Sequence, residues 1–311
     1  MENIKVASFY RFLRINDLSN MRGNLLALCK KLDLLGTILI AKEGFNGSIS
    51  GQHDAIMEIF NWLEKRLNID NPIMKTTRWA DVNSPPFSKL HIKIKKEIVA
   101  LGREDIRPYE KSGTSVIPEN WNQLIQNPET LIIDTRNKYE INIGSFPGAV
   151  NPKTDAFRDF SEFAKNIPEI KKDKPVAMFC TGGIRCEKAA ALMVEMGFKN
   201  VNQLEGGILN YLKEIKESEN IWHGECFVFD NRVAIDGELK NGKYIQCHAC
   251  RHPLSLQETQ SPDYQEGISC SRCINTISKD KLEGFKERQK QIKLAKQRGE
   301  KHIGKVLNKK K

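Results

Sequence analysis

Long apolar runs are missing from this sequence of 311 residues. No stretch stays apolar over the about 20 residues that a membrane-spanning helix needs, and the opening residues MENIKV lack the apolar core of a secretory signal. These absences predict a cytoplasmic protein without a membrane partner. Because thiols stay reduced in that compartment, the eight cysteines are more typical of catalysis or metal binding than of a disulfide framework.

Recognisable cofactor motifs are absent as well. The glycine clusters do not form the G-x-G-x-x-G between strand and helix that nicotinamide and flavin sites use, and no haem motif is visible. Non-haem iron would need two histidines and a carboxylate, and no such group occurs in the central part of the chain. We therefore expect no flavin, haem or nicotinamide. The six histidines are His53, His91, His223, His248, His252 and His302.

The positive charge of the chain is concentrated at its C-terminus. The net charge is +10, and residues 279–311 alone contain thirteen Lys or Arg and four Asp or Glu, a net of +9. The rest of the protein is therefore almost neutral. We expect a helix at 278–297 followed by a basic tail, with 281–311 forming an arm that suits a polyanion such as nucleic acid. A solvated tail that aids solubility explains the same charge equally well.

The first hundred residues follow the order β-α-β-β-α-β, which is the ferredoxin-like α+β arrangement. Apolar residues at helical spacing indicate the helices, and β-branched or alternating apolar residues indicate the strands. We expect strands at 5–12, 37–41, 48–50 and 90–95, helices at 21–34 and 55–67, and a turn at 42–47. Residues 78–87 read as an exposed loop. There Arg78, Trp79 and Phe87 could contact nucleic acid, or Trp79 and Phe87 could pack onto the sheet.

The next part of the chain predicts a parallel sheet. Residues 101–120 are charged and lack apolar periodicity, so we expect a linker there, ending in a short helix at 118–125. Strands and helices then alternate through residues 121–219, which indicates a mostly parallel sheet with helices on both faces. We expect strands at 130–135, 176–179 and 201–206, and helices at 156–167, 186–196 and 207–216.

The stretch PVAMFCTGGIRCEK, residues 175–188, combines a strand, a tight loop and the start of a helix. Cys180 ends the strand, where open α/β sheets place ligands and chemistry. Backbone N–H groups of the loop and the positive end of the helix would stabilise a thiolate, and Arg185 adds a fixed positive charge. We therefore predict that Cys180 is catalytic. The predicted active-site loop consists of Thr181, Gly182, Gly183, Ile184 and Arg185.

Residues 220–280 form a cysteine-rich region that predicts a structural metal site. Two C-x-x-C pairs are separated by nineteen residues, a spacing typical of tetrahedral zinc bound by four thiolates. Such a site would hold together a segment too small for a large core. Reduced cysteines without metal are the alternative. The four candidate ligands are Cys247, Cys250, Cys270 and Cys273.

Several separated motifs resemble the rhodanese domain in order and spacing. They are Asp134-Thr-Arg136, Glu140, Ser145-Phe-Pro-Gly-Ala149, the Cys180 loop and Leu204-Glu-Gly-Gly207. Over roughly residues 1–280 the chain resembles one subfamily, the rhodanese-type tRNA wobble-uridine hydroxylases. The resemblance implies a central rhodanese domain that hydroxylates the anticodon wobble uridine at C5, giving 5-hydroxyuridine. Cys180 would be the active cysteine, molecular oxygen the co-substrate, and tRNA rather than DNA the partner.

The resemblance also suggests supporting residues and alternatives. Asp134 and Arg136 would brace the loop, and Cys186 is either a resolving thiol or a small residue packed at the helix start. The four residues between Cys180 and Arg185 match rhodaneses that handle sulfur, whereas the related phosphatases have one more. A sulfurtransferase that carries sulfur as a Cys180 persulfide is therefore the alternative activity. A non-catalytic adaptor is a third possibility, against which the presence of both Cys180 and Arg185 argues.

Overall fold

The computed structural model describes residues 4–82, 85–230 and 232–299. The chain forms two compact units, of which the first consists of Met1–Lys138 and Gly148–Lys216, and the second of Tyr139–Pro147 and Glu217–Lys311. Within the described residues no helix is both long and apolar enough to cross a membrane. The last twelve residues of the predicted basic tail, 300–311, lie outside the described part of the chain.

The N-terminal part of the first unit is a five-stranded sheet with the strand order β4-β1-β3-β2-β5. Only β2 and β5 run parallel, and the other neighbours are antiparallel. Both helices bury apolar residues in the same core as the inward-facing residues of the sheet, so they cover one face. The elements are β1 (Ile4–Phe12), α1 (Leu18–Lys31), β2 (Leu35–Ala41), β3 (Gly44–Gly51), α2 (His53–Leu67), β4 (Arg78–Val82) and β5 (Leu90–Ile94).

Two sequence-based predictions in this domain were wrong. Residues 78–82, expected in an exposed loop, form β4 at the sheet edge, where Trp79 lies opposite Ala7 of β1 and packs against Phe60 of α2. The turn expected at 42–47 is much shorter, because Gly44 already begins β3. A Cβ at Gly44 would lie 2.0 Å from the carbonyl oxygen of Arg11, so this glycine permits close strand pairing rather than a turn.

The other sheet of the first unit is parallel, with the strand order β6-β10-β9-β7. Residues 114–116, within the expected linker, form β6, and the helix expected at 156–167 is a 3₁₀ turn at Phe157–Asp159 followed by a shorter α-helix. The elements of the first unit here, in chain order, are β6 (Thr114–Val116), α3 (Pro118–Gln126), β7 (Leu131–Asp134), α5 (Phe160–Lys165), β9 (Pro175–Phe179), α6 (Ile184–Glu195), β10 (Asn200–Leu204) and α7 (Gly207–Glu214). Between β7 and α5 the chain also forms α4 (Lys138–Ile141) and β8 (Gly144–Ser145), which lie almost entirely in the second unit.

The second unit is built from two-residue strand pairs and one long helix. β8 pairs with β11, β12 with β13, and β14 with β15. The long helix, α8, begins after Ser278, whose hydroxyl accepts the N–H of Lys281 as an N-cap. The remaining elements are β11 (His223–Gly224), β12 (Cys226–Phe227), β13 (Ala234–Ile235), β14 (Ile245–Gln246), β15 (Pro253–Leu254) and α8 (Lys279–Gln297).

A buried ion cluster joins the two sheets of the first unit. Lys188 on α6 is completely buried, and its ammonium nitrogen lies 2.5 Å from Glu43 and 2.6 Å from Glu97. The carboxylates have further donors, because Glu43 accepts the N–H of Ile98 at 2.7 Å and Glu97 accepts that of Leu101 at 2.9 Å. A buried charge is tolerated only when it is paired and hydrogen-bonded in this way. The cluster therefore fixes the first turn of α6 against the N-terminal domain.

Replacing Lys188 should destabilise the fold strongly. Lys188→Ala would leave two buried carboxylates without their shared cation, and breaking a buried pair costs about 3–5 kcal/mol. Lys199→Ala is the matched control, because Lys199 is 75% exposed in its own ion pair with Asp173. Equilibrium urea unfolding should show a lower midpoint for the first variant and a midpoint near that of wild type for the second. Equal midpoints for both variants would show that the cluster does not stabilise the fold.

Candidate active site

Cys180 lies where β9 ends and the loop to α6 begins. β9 runs between β10 and β7, so its carboxyl end is at the middle of the parallel sheet. The loop turns sharply at Gly183, whose φ of +94° disfavours a residue with a side chain. This turn directs the backbone N–H of Gly183 at the sulfur of Cys180, with a nitrogen–sulfur distance of 3.0 Å. The thiol predicted from the sequence therefore lies in a cradle of backbone donors.

The charge state of Cys180 depends on several opposing effects. Its side chain is fully buried, and burial alone would raise the pKa of the thiol. Opposing this, the Cys186 thiol donates a hydrogen bond to the Cys180 sulfur, the Arg185 guanidinium attracts negative charge, and the N–H groups of Cys186 and Gly182 donate hydrogen bonds. These contributions together hold the pKa of Cys180 well below its usual range. Cys180 therefore favours the thiolate form more strongly than an ordinary cysteine does.

Cys186 has the opposite character. It is also fully buried, and burial together with the neighbouring Cys180 thiolate raises its pKa well above the usual range. Its sulfur lies 3.3 Å from the hydroxyl oxygen of Thr135, which follows β7. The site thus contains two interacting thiols whose pKa values are shifted in opposite directions. The chain places both of them on the same loop-and-helix segment, as expected from the motif.

Arg185 and Thr181 close the loop around the cysteine. Both are buried, and the Arg185 guanidinium donates to the Thr181 hydroxyl over 3.3 Å. Beyond the loop, α7 donates its first N–H groups to the loop backbone, from Ile208 to the Cys180 carbonyl at 2.9 Å and from Leu209 to the Thr181 carbonyl at 3.2 Å. The active-site loop is therefore held by its own side chains and by a second helix N-terminus.

Asp134 and Arg136 lie beside β9 at the end of β7. Both side chains are completely buried, and Arg136 donates to the two carboxylate oxygens of Asp134 at 2.9 and 2.6 Å. Asp134 is in register with Phe179, the residue before Cys180, and the N–H of Thr135 donates to the Phe179 carbonyl at 3.0 Å. We propose that this bidentate pair braces the end of β9, which agrees with the supporting role expected from the sequence.

Residues of the N-terminal domain cover the loop, and reasoning from the sequence did not assign them there. Arg78, on β4, donates to the Gly182 carbonyl at 2.6 Å. Tyr10, on β1, donates its hydroxyl to Glu187. A Cβ at Gly183 would lie 2.9 Å from that hydroxyl oxygen, so Tyr10 rests directly on the loop. Burial raises the pKa of both Tyr10 and Glu187. The active site is therefore composed of two domains.

Four cysteines of the second unit form a separate cluster. The sulfur atoms of Cys247, Cys250, Cys270 and Cys273 all lie within 4.8 Å of one another. Neighbouring sulfurs are 3.6, 3.7 and 3.9 Å apart. Tetrahedral zinc with bonds of about 2.3 Å would place its sulfurs about 3.8 Å apart. The donor set therefore fits zinc, and we propose that these four residues hold a structural zinc ion, as their spacing predicts.

Two protein families match the chain, one over each of the two sheets of the first unit. Residues 4–98 match the family described as UPF0176 acylphosphatase-like domain, and residues 118–214 match the rhodanese-like domain. The five-stranded N-terminal sheet is thus an acylphosphatase-like domain of ferredoxin-like topology. The parallel sheet that holds Cys180 is a rhodanese-like domain. A C-terminal cysteine cluster completes the fold, so the predicted fold class is confirmed.

Solved structures similar to parts of the chain include both domain types. A rhodanese-related protein from Thermoplasma volcanium is 24% identical, covering 32% of this chain and 92% of its own, with a TM-score of 0.28. A human single-domain sulfurtransferase is 17% identical, covering 33% and 99%, with a TM-score of 0.28. An acylphosphatase from Coxiella burnetii is 14% identical, covering 30% and 94%, with a TM-score of 0.22.

The thiolate state of Cys180 can be tested by ultraviolet absorbance. The difference in thiolate absorbance between wild type and Cys180→Ser should be present at neutral pH and disappear only on acidification, because the pKa is lowered. Arg185→Gln should move this titration to higher pH, since it removes a positive charge. Cys29 provides the control, because burial raises its pKa to about 12, and the Cys29→Ser difference should show no thiolate at neutral pH. If Cys180 titrates at the ordinary pKa of a cysteine, the conclusion that the loop lowers its pKa is wrong.

The proposed zinc site predicts the metal content and stability of the protein. Purified protein should contain about one zinc ion per chain, and chelation should lower its melting temperature because a structural zinc contributes folding energy. Cys250→Ser should lose the metal, whereas Cys226→Ser, a buried cysteine of the same unit outside the cluster, should retain it. Elemental analysis and thermal melting measure both effects. If the wild-type protein contains no zinc as purified and its melting temperature does not change on chelation, the zinc site is excluded.

Proposed function

We propose that this protein is a tRNA-modifying enzyme that hydroxylates the anticodon wobble uridine at C5 with molecular oxygen, giving 5-hydroxyuridine. Cys180 is the catalytic residue of this reaction. The proposal is supported by the resemblance along residues 1–280 and by the rhodanese-like domain at 118–214, in which Cys180 lies. The single observation that carries it is the composite site, where the thiolate loop of one domain is covered by polar side chains of another.

The composite site favours a large substrate. The thiolate cradle alone would suffice for a small sulfur-containing anion, because its donors all come from the loop and α6. Tyr10 and Arg78 add a hydroxyl and a guanidinium from the acylphosphatase-like domain. A nucleotide offers a base for such groups to contact and a phosphate for the arginine. Both domains would then contact one RNA substrate.

A buried thiolate has a direct use on uridine. C6 of the uracil ring is electrophilic because it is conjugated to the C4 carbonyl group, so the Cys180 sulfur can add there. The adduct places electron density on C5, the atom that takes up oxygen. The overall reaction consumes uridine, molecular oxygen, two electrons and two protons, and it yields 5-hydroxyuridine and water. Arg185 keeps the sulfur anionic before attack and stabilises it when it leaves.

The second unit supplies positive charge for RNA. α8 carries six exposed lysines, and further basic residues follow it in the sequence. Lysines on a helix bind phosphates without regard to sequence, so α8 suits the tRNA backbone, leaving base recognition to the thiolate site. The exposed lysines are Lys279, Lys281, Lys286, Lys290, Lys293 and Lys296.

Sulfur transfer is the second candidate function. The loop between Cys180 and Arg185 has the four-residue length of sulfur-handling rhodaneses. The same N–H cradle that stabilises a thiolate would stabilise the terminal anionic sulfur of a Cys180 persulfide. In this activity the Cys180 sulfur would take the outer sulfur of thiosulfate and release sulfite, and cyanide would then take that sulfur from the persulfide and leave as thiocyanate. It therefore has a product distinct from that of hydroxylation.

Nucleoside analysis separates the two functions. Mass spectrometry of tRNA from a strain lacking this protein should show loss of 5-hydroxyuridine and nucleosides made from it. Wild type and Cys29→Ser should restore them, whereas Cys180→Ser should not, because it lacks the nucleophilic thiolate. Purified protein incubated with tRNA under heavy-isotope oxygen gas should incorporate the label at the wobble uridine. Restoration by Cys180→Ser, or thiocyanate formation without any tRNA product, would overturn hydroxylation as the function.

A further inference from the structure

Cys180 and Cys186 form a buried dithiol within the active site. Both side chains are fully buried, and the Cys186 thiol donates directly to the Cys180 sulfur. The other six cysteines lie elsewhere. Cys29 is in the core of the N-terminal sheet, Cys226 is on β12, and the remaining four form the C-terminal cluster. The active-site pair is thus chemically separate from every other described thiol.

Cys180 and Cys186 interact directly with each other. The Cys180 sulfur accepts hydrogen bonds from both the thiol and the backbone N–H of Cys186, so the two residues already lie within contact of each other. A bond between the sulfurs would therefore join two residues that already interact within the active site. The pair also combines a thiol of lowered pKa with a neighbouring thiol of raised pKa, as redox-active cysteine pairs do.

The proposed hydroxylation requires a source of two electrons beside the reacting oxygen. One oxygen atom is inserted at C5, and the other must be reduced to water. We propose that the Cys180–Cys186 dithiol supplies both electrons and both protons and becomes a disulfide in each turnover. Uridine, molecular oxygen and the dithiol then give 5-hydroxyuridine, water and the disulfide, which balances atoms and electrons. This inference rests on the proposed function and assigns Cys186 a catalytic role in it.

A second reaction must restore the dithiol. An external dithiol reductant, for which dithiothreitol is the probe, attacks the disulfide by thiol–disulfide exchange and leaves as its own disulfide. Attack on the Cys186 sulfur makes Cys180 the leaving group, and its low pKa favours departure. Thr135, with its hydroxyl oxygen 3.3 Å from the Cys186 sulfur, holds that sulfur in place during the cycle. Thr135 is therefore a positioning residue.

A single-turnover experiment tests the dithiol directly. Reduced full-length protein is freed of reductant and mixed in air with tRNA from the deletion strain. We expect a burst of about one 5-hydroxyuridine per protein, together with an equal amount of the disulfide-linked Cys180–Cys186 peptide by non-reducing mass spectrometry. Adding dithiothreitol should restore continuous turnover. Without oxygen, neither the modified nucleoside nor the disulfide should accumulate.

Variants of Cys186 separate electron transfer from structural support. Cys186→Ser retains a hydrogen-bond donor for Cys180 but cannot form the disulfide, so we expect it to lose turnover even with dithiothreitol. Its melting temperature and the thiolate absorbance of Cys180 show whether the site has stayed intact. Cys29→Ala, which removes a buried thiol from the N-terminal core, is the matched control and should retain both burst and turnover. Continued turnover by Cys186→Ser would overturn the proposal.

The remaining outcomes distinguish this inference from the proposed function. Formation of 5-hydroxyuridine by wild type while both cysteines stay reduced would exclude the dithiol as electron donor and leave hydroxylation intact. If the amount of disulfide does not match the amount of modified nucleoside, the proposal that the dithiol supplies the electrons is also overturned. Absence of 5-hydroxyuridine with and without dithiothreitol, together with unchanged tRNA in the deletion strain, would overturn the proposed function itself.

Discussion

The structure around the active site depends on lowering the pKa of the Cys180 thiol while its side chain is completely buried. Removing an anion from water is costly, and only fixed donors or opposite charges offset that cost. The loop meets this requirement with backbone N–H groups, the Cys186 thiol and the Arg185 guanidinium. This explains why β9 ends at Phe179, why the chain turns at Gly183, and why a helix begins at Ile184.

Holding those donors in place requires support from the surrounding fold. Behind the loop, the N–H of Thr135 donates to the Phe179 carbonyl and so joins β7 to the end of β9, and the buried Asp134–Arg136 pair lies beside it. α7 binds the carbonyl groups of Cys180 and Thr181, and Arg78 binds that of Gly182. These hydrogen bonds hold the carbonyl groups of the loop facing away from the Cys180 sulfur, so that the N–H groups of the loop remain directed at it. Electrostatic stabilisation by pre-positioned donors of this kind needs no rearrangement during the reaction.

The local parts of this arrangement could be predicted from the sequence, and the long-range parts could not. Strand, loop and helix around Cys180 follow from a continuous run of residues, and the four clustered cysteines follow from their spacing. By contrast, Arg78 and Gly182 are separated by 104 positions, and no periodicity relates them. β4 was missed for the same reason: its pairing with β1 across some seventy residues, rather than its own composition, makes it a strand. The turn at 42–47 was predicted too long because, in the sequence, a glycine needed for close strand pairing, such as Gly44, looks the same as one needed for a turn.

Three consecutive residues show how the site and the domain junction are coupled. Cys186, Glu187 and Lys188 occupy the first turn of α6, and successive helical residues point about 100° apart. Their side chains therefore reach three different partners: the Cys180 sulfur, the Tyr10 hydroxyl, and the carboxylates of Glu43 and Glu97. One helical turn thus sets the charge of the thiolate, the position of its cover and the attachment of the N-terminal domain.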